Sequence, residues 1–357
     1  MQAASVYAGV SDRMEAAMSL APAAYLDKSV FEAEVEKVFR RQWMPVARVE
    51  QLGKPGDFLS VDLAGVPLVI SRDEAGAIHA LSRVCRHRAM PVAEGQGNVK
   101  AFTCPYHLWR YGLDGRLLSA PAMERSDTFD PAKCALPSFP VDVWEGWVFV
   151  NLDSDATPLA TFMEGLTAKV AKDGLADMRI VSSLKFPSPW NWKVLIENFI
   201  ESYHHIGPHS ESLQQSNPAF GTYVPELPED TNFTVLENPP VEGADPFSVY
   251  VGFPSFLLVV LRGETVSAVW YQLDIRDEGY FDLTIHVLMK EPEASDRELT
   301  EGTAEILRHI HMEDIPVCEG VQAGLSSPVT VPGPLSHLER GIWHFQRYLK
   351  RMMMSNS

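Results

Sequence analysis

The sequence predicts an α+β protein, with an N-terminal all-β domain followed by an antiparallel sheet that carries helices. Three observations predict it. From Trp43 to Val150, short apolar runs such as Phe58–Val61, Val66–Ile70 and Trp147–Val150 alternate with Gly, Asp and Pro turns, the pattern of a small β domain. Further on, stretches rich in Val, Tyr, Trp and Phe predict strands at about 255–262, 265–275 and 279–290. Long segments of helical character near 294–325 and 336–352 close the chain.

Taken in order, Ser29-Val30-Phe31-Glu32 reads as a capping box, and Phe31, Val35, Val38 and Phe39 follow helical spacing, predicting a helix over 28–41. Residues 161–174 read as helix and 179–187 as strand. Asn191 to His205 places Trp192, Leu195, Ile196, Phe199 and Tyr203 on one face of a second amphipathic helix, ended by Gly207-Pro208. The predicted organisation is a helical segment over 1–42 packing on the later domain, a β domain over 43–155 and an α+β domain over 156–357.

Composition excludes several classes. Lys and Arg total 30 against 47 Asp and Glu, a formal charge of −17, which repels a phosphate backbone and argues against nucleic acid. Asp12, Arg13 and Glu15 interrupt any signal-peptide pattern. The longest largely apolar stretch, Phe253 to Leu261, is far short of the ~20 residues that span a bilayer. A cytoplasmic protein without membrane contact is expected. In such a compartment the four cysteines, Cys85, Cys104, Cys134 and Cys318, are not expected to form disulfides.

Two of them keep company with histidine. Cys85-Arg86-His87 is followed, after sixteen residues, by Cys104-Pro105-Tyr106-His107. Each knuckle offers one thiolate and one imidazole, so two loops can set both sulfurs on one iron and both rings on another. That is the ligation of a Rieske 2Fe–2S centre, whose potential lies at roughly −150 to +300 mV. Common zinc sites pair like with like, Cys with Cys and then His with His, and the mixed knuckles argue against zinc. Cys134 and Cys318 have no such company.

A second cluster lies in the run from Glu197 to His209. Glu201 and His204 are three apart and share a helix face, with Asn198 one turn earlier. His209 stands just past the Gly-Pro break, where the chain can fold back. Two histidines and a carboxylate form the facial triad that holds Fe(II) and leaves positions open for O2 and substrate. The alternative is a polar stripe facing water.

These motifs together resemble the large, or alpha, subunits of Rieske non-haem iron oxygenases, the ring-hydroxylating dioxygenase family. The resemblance rests on Cys85–His87 with Arg88, Cys104-Pro105-Tyr106-His107-Leu108-Trp109, Tyr111 with Asp114-Gly115, and the order acid, two residues, His, four residues, His at Glu201, His204 and His209. It extends over about residues 40 to 350. Ala89 and Leu108 stand where the family often has Gly, and Glu201 replaces the commoner Asp. The resemblance implies a helix-grip catalytic domain and His204 and His209 as iron ligands. Glu201 would bridge to His107 of a neighbouring subunit in a ring-shaped trimer, with Asn198 beside it and Tyr106 supporting the cluster. His205 misses the family register. Asp314, in a segment where Glu319 and Gln322 also fit the family pattern, would be the third iron ligand, with Glu313 its nearest rival. The remaining histidines, among them His309, His311, His337 and His344, are expected to pack or face water.

The implied cofactors are a Rieske cluster and a mononuclear Fe(II). The implied activity is O2-dependent hydroxylation, dihydroxylation or demethylation of a small organic, aromatic substrate. Electrons would come from a ferredoxin or an NAD(P)H-dependent reductase. Oxidation of a small quaternary amine stays open, as does a pure electron carrier. Phe253–Leu261 and Val269–Tyr271 are candidate pocket walls.

Overall fold

The computed structural model describes residues 3–228 and 231–355, which form two compact units: Arg40–Leu159, and the residues up to Phe39 together with Ala160 onward. The second unit starts with 3-10 turns at Ala3–Tyr7 and Met14–Ala16, then α1 (Ala23–Leu26) and α2 (Lys28–Glu34), whose last turn runs on as π-helix over Val35–Phe39. The capping box expected at Ser29 does not form. The helix has already begun at Lys28 after Asp27, and Glu32 instead lies 3.8 Å from the Lys28 ammonium.

The Arg40–Leu159 unit is all β. It comprises β1 (Met44–Arg48), β2 (Asp57–Leu63), β3 (Val66–Arg72), β4 (Ile78–Ser82), β5 (Gln96–Asn98), β6 (Phe102–Thr103), β7 (Arg110–Tyr111), β8 (Leu117–Ser119), β9 (Ser138–Phe139), β10 (Val141–Trp144) and β11 (Trp147–Val150). A five-stranded antiparallel sheet runs β5-β2-β3-β4-β9, with smaller sheets β1-β11-β10 and β6-β7-β8. Phe58, Val69, Leu81, Phe102 and Trp109 fill its core together with Cys85 and Cys104. Both predicted knuckles thus hang from a buried apolar frame that fixes where their sulfurs lie.

After α3 (Leu159–Val170), the other unit is built on an antiparallel sheet ordered β12-β17-β16-β15-β14-β13. Its strands are β12 (Arg179–Ser188), β13 (Phe233–Asn238), β14 (Phe247–Gly252), β15 (Phe256–Arg262), β16 (Val266–Asp277) and β17 (Tyr280–Met289). β13 and β14 were not anticipated. Nearly every residue of both is buried, so neither shows the in-out alternation that marks a half-exposed strand. The helices of this unit are α4 (Trp192–Phe199), the short α5 (Leu213–Ser216), α6 (Arg297–Leu325) and α7 (Arg340–Met354). α6 runs through Pro316 without ending.

The helix expected over Asn191–His205 stops at Phe199. Ile200 leaves helical geometry, and a 3-10 turn follows over Tyr203–Ile206. Two features cause the break. The Glu201 carboxylate accepts the backbone N–H groups of Tyr203 and His204, drawing them away from helical carbonyls. The Ile200 carbonyl meets α7 so closely at Gly341 that a Cβ there would lie 2.3 Å from its oxygen.

The N-terminal segment is tied to α4 by buried polar groups. Glu34, fully buried, accepts from the Lys193 ammonium at 2.8 and 3.0 Å, from the Trp192 indole at 3.1 Å and from the Tyr7 hydroxyl. Tyr25 donates to Glu197, 2.8 Å from each carboxylate oxygen. Burial pushes the Glu197 carboxyl up from 4.5 to about 7 although Tyr25 and Lys193 oppose the shift. The folded state therefore holds this proton more tightly than the unfolded chain, and ionisation destabilises the fold as pH rises from about 4.5 through 7. Replacing Glu197 by Gln removes that dependence. Thermal unfolding should find the variant gaining on the wild type by on the order of 1 kcal/mol between pH 5 and pH 8. An unchanged difference would refute the shift.

Candidate metal centres

In the β unit, the two knuckles are built alike. The Cys85 N–H donates to the Met90 carbonyl and the Ala89 N–H to the Cys85 carbonyl, at 2.9 and 3.0 Å. The Cys104 N–H likewise donates to Trp109 and the Leu108 N–H to Cys104, at 2.8 and 3.0 Å. Each loop closes through one residue in left-handed backbone, Ala89 and Leu108, both at φ 57°. This explains why Gly suits these positions, and why Ala and Leu there cost about 1–2 kcal/mol each without displacing a ligand.

The loops bring His87 to His107 and set Cys85 and Cys104 in one core cluster. Cys85 and Cys104 are buried and free of disulfide. His87 Nδ1 and His107 Nδ1 lie 3.1 Å apart, a spacing that two ligands on one metal ion share at roughly 2 Å each. Trp109 stacks on His87, rings 4.9 Å apart and within 7° of parallel. Two buried thiols and a converging pair of ring nitrogens fit a 2Fe–2S group held by two cysteines and two histidines.

Tyr106 was expected to support that group, but it stands exposed and stacked on His107, centroids 3.8 Å apart. The hydroxyl that reaches a ligand is that of buried Tyr111, 3.2 Å from Cys85 Sγ while also accepting from the Arg86 N–H at 3.1 Å. Burial raises the Tyr111 phenol above its ordinary value, so it keeps its proton and can donate to the sulfur.

In the other unit, His204, His209 and Asp314 converge, with one ligand atom from each lying within 4.8 Å of the others. Asp314 Oδ1 is 3.0 Å from His209 Nε2 and 3.6 Å from His204 Nε2. The far side of each ring is held by a carboxylate. His204 Nδ1 lies 2.6 Å from Glu201 and His209 Nδ1 2.7 Å from Glu313. Each carboxylate would hold the proton on Nδ1 when a metal takes Nε2, and the rings already turn both Nε2 atoms toward Asp314. Asn198 donates from Nδ2 to Asp314 Oδ1 at 3.3 Å. Burial alone would raise the Asp314 carboxyl, but His209 and His204 outweigh it and hold the group below its usual range. The set fits Fe(II) in a two-histidine, one-carboxylate site.

Glu313, the rival ligand, is placed behind His209, where it also accepts from Ser212 Oγ at 2.6 Å. Removing it with Glu313→Ala strips His209 of its orienting partner. Titration of the apoprotein with Fe(II) should show affinity lowered about 10–100-fold. His205 has its Nδ1 3.0 Å from the Asn217 carbonyl, and burial pushes its pKa down to about 4, so the ring is neutral. Of the other cysteines, Cys318 is buried with its thiol pushed up to about 12, and Cys134 is half-buried. His344 packs against Thr234, and His309 is exposed near Glu313. Gln322, which fits the family pattern, accepts the Asn191 N–H at 2.9 Å. No helix among the described residues is long and apolar enough to cross a membrane.

A cavity opens beside the triad. Its walls include Phe199, Phe247, Val259, Leu261, Tyr271, Leu307, Ile310 and His311. Of the strand residues predicted to line a pocket, Val259, Leu261 and Tyr271 do so, whereas Phe253, Leu257 and Leu258 are buried core.

Comparison with known proteins agrees with this geometry. Residues 42–140 match the Rieske [2Fe-2S] domain and residues 175–355 the ring hydroxylating alpha subunit catalytic domain. The chain is 27% identical to chloroplastic choline monooxygenase of Spinacia oleracea, over 92% of this chain and 77% of that protein. It is 29% identical to the carnitine monooxygenase oxygenase subunit of Escherichia coli K12, over 85% and 83%. Among solved structures, a quaternary ammonium Rieske monooxygenase shares the fold at TM-score 0.88 with 23% identity, covering 98% of each chain. A naphthalene 1,2-dioxygenase from Rhodococcus sp. does so at 0.79 and 17%, covering 95% of each. With both domains matched and both ligand sets assembled, the chain belongs to the Rieske non-haem iron oxygenase alpha subunits, oxidoreductases that carry a Rieske 2Fe–2S cluster and a mononuclear iron.

Proposed function

We propose that this protein is a terminal monooxygenase acting on a small quaternary ammonium compound that lacks a carboxylate, a choline-like alcohol being the simplest case. The observation that carries the reading is the cavity wall. Phe199, Phe247 and Tyr271 line it, with Glu201 and Asp314 as its acids and no Lys or Arg among the described residues that line it. A trimethylammonium group has no N–H to donate and is held by aromatic faces, at about 0.5–2 kcal/mol for each well-placed ring. A substrate carboxylate would find no cation there. The choline- and carnitine-oxidising relatives support the same substrate class, and it was the alternative to an aromatic substrate in the sequence reading. A net charge of −17 favours the approach of a cation.

In this reading, residues 43–155 carry the cluster on Cys85, His87, Cys104 and His107. Residues 156–357, with the N-terminal 42, hold the iron on His204, His209 and Asp314. When bound, the cluster supplies electrons and the iron activates dioxygen. One C–H bond of the substrate becomes C–OH, the second oxygen atom leaves as water, and two electrons and two protons enter from outside. Glu201 and Glu313 keep the two imidazoles aimed, Asn198 steadies the Asp314 carboxylate, and the aromatic wall excludes bulk water from the reacting carbon. Glu201 also bridges toward His107 of a second copy in a trimer. An NAD(P)H-dependent reductase or ferredoxin is the electron donor.

The test couples the reconstituted protein to an NADH-driven reductase and follows oxygen uptake and product mass with choline, L-carnitine and naphthalene. Turnover of choline well above that of the other two is the expected result. Turnover of naphthalene alone would overturn the reading.

A further inference from the structure

Several buried polar atoms lack a hydrogen-bond partner among the described residues, including Nε2 of His311, the indole nitrogen of Trp190 and the hydroxyl of Tyr348. Of these three residues only His311 also lines the cavity beside the triad. It is 1% exposed and sits on α6 one turn before Asp314, with its ring 4.4 Å from Phe186 and 6.3 Å from Tyr271. A buried nitrogen without a partner costs about 1–3 kcal/mol, and one left so in a residue that borders a ligand cavity is explained when the ligand completes it. Burial pushes the His311 pKa down to about 4, so the ring is neutral and offers a hydrogen bond without a charge. That suits an alcohol or carbonyl and gives no counter-charge to a carboxylate.

We propose that His311 is a substrate-binding residue whose Nε2 pairs with a hydroxyl or carbonyl oxygen of the substrate. The inference rests on the quaternary ammonium reading for the remainder of the ligand. It adds a second point of recognition, so that the aromatic wall takes the ammonium head and His311 takes the oxygen. Two fixed points set which carbon faces the triad.

The test is calorimetric binding to the anaerobic holoenzyme of choline and of propyltrimethylammonium, which replaces the hydroxyl with a methyl group. The wild type should prefer choline by about tenfold, the worth of one such hydrogen bond. In H311F that ratio should fall to about one, with the affinity for the propyl compound, the iron content and the visible spectrum of the cluster all kept. H311L gives the same readout if H311F loses iron. A ratio unchanged in the variants, or absent in the wild type, overturns the assignment. Benzyl alcohol and ethylbenzene, titrated alongside, separate the two claims. Binding of this neutral pair alone, with a hydroxyl preference lost in H311F, keeps His311 and removes the quaternary ammonium reading. Binding of neither pair removes both.

Discussion

Asp314→Ala should abolish turnover and lower the iron content by about one per chain, while leaving the visible spectrum of the cluster intact. Asp314 is the one anion that both Nε2 atoms face, at 3.0 Å from His209 and 3.6 Å from His204. Without it two neutral nitrogens remain, too weak a set to hold Fe(II) against water. The nearby acids do not compensate. Glu201 and Glu313 are spent on the far sides of the two rings. The proposed cluster ligands lie at residues 85 to 107 in the β unit, so Asp314→Ala removes none of them. Retained iron and retained turnover in this variant would show that another carboxylate is the ligand.

Lys193→Met should cost about 3–5 kcal/mol of stability, the largest effect expected from any substitution outside the metal sites. Lys193 and Glu34 are both fully buried and paired at 2.8 Å. Removing the cation leaves a buried carboxylate to be held by the Trp192 indole and the Tyr7 hydroxyl alone. Because the pair joins α2 to α4, the loss also loosens the helix that carries Asn198. Thermal unfolding should show a fall of about 10 °C. The double variant with Glu34→Leu should recover much of it, since replacing both charges removes the desolvation penalty together with the attraction. A single variant as stable as the wild type would contradict the burial of this pair.

The proposed iron-binding residues were legible because metal ligation restricts residue type and spacing together. The mixed Cys–His knuckles and the order Glu201, His204, His209 could be read without knowing any contact. Asp314 could be placed for a further reason. The segment with Asp314, Glu319 and Gln322 fits the family pattern, and that resemblance, not spacing to the histidines, picked it out. The supporting groups were not legible, because a partner to a ligand needs only to be near it in space. Tyr111 reaches Cys85 from β7, and Glu313 reaches His209 from α6. The break after Phe199 was hidden for a similar reason. Apolar periodicity continues through it, while its causes are the Glu201 side chain and the close approach of Gly341. The substrate was least legible of all, since Phe247 and Phe199 become neighbours of one cavity only after the sheet has formed.

One chain holds both the Rieske domain and the mononuclear-iron domain. Metal and acid-labile sulfide analysis of anaerobically reconstituted protein addresses this most directly. It should give about three irons and two sulfides per chain, with one iron missing in Asp314→Ala and the sulfide unchanged. Zinc without sulfide, or two irons in both the wild type and the variant, would contradict it.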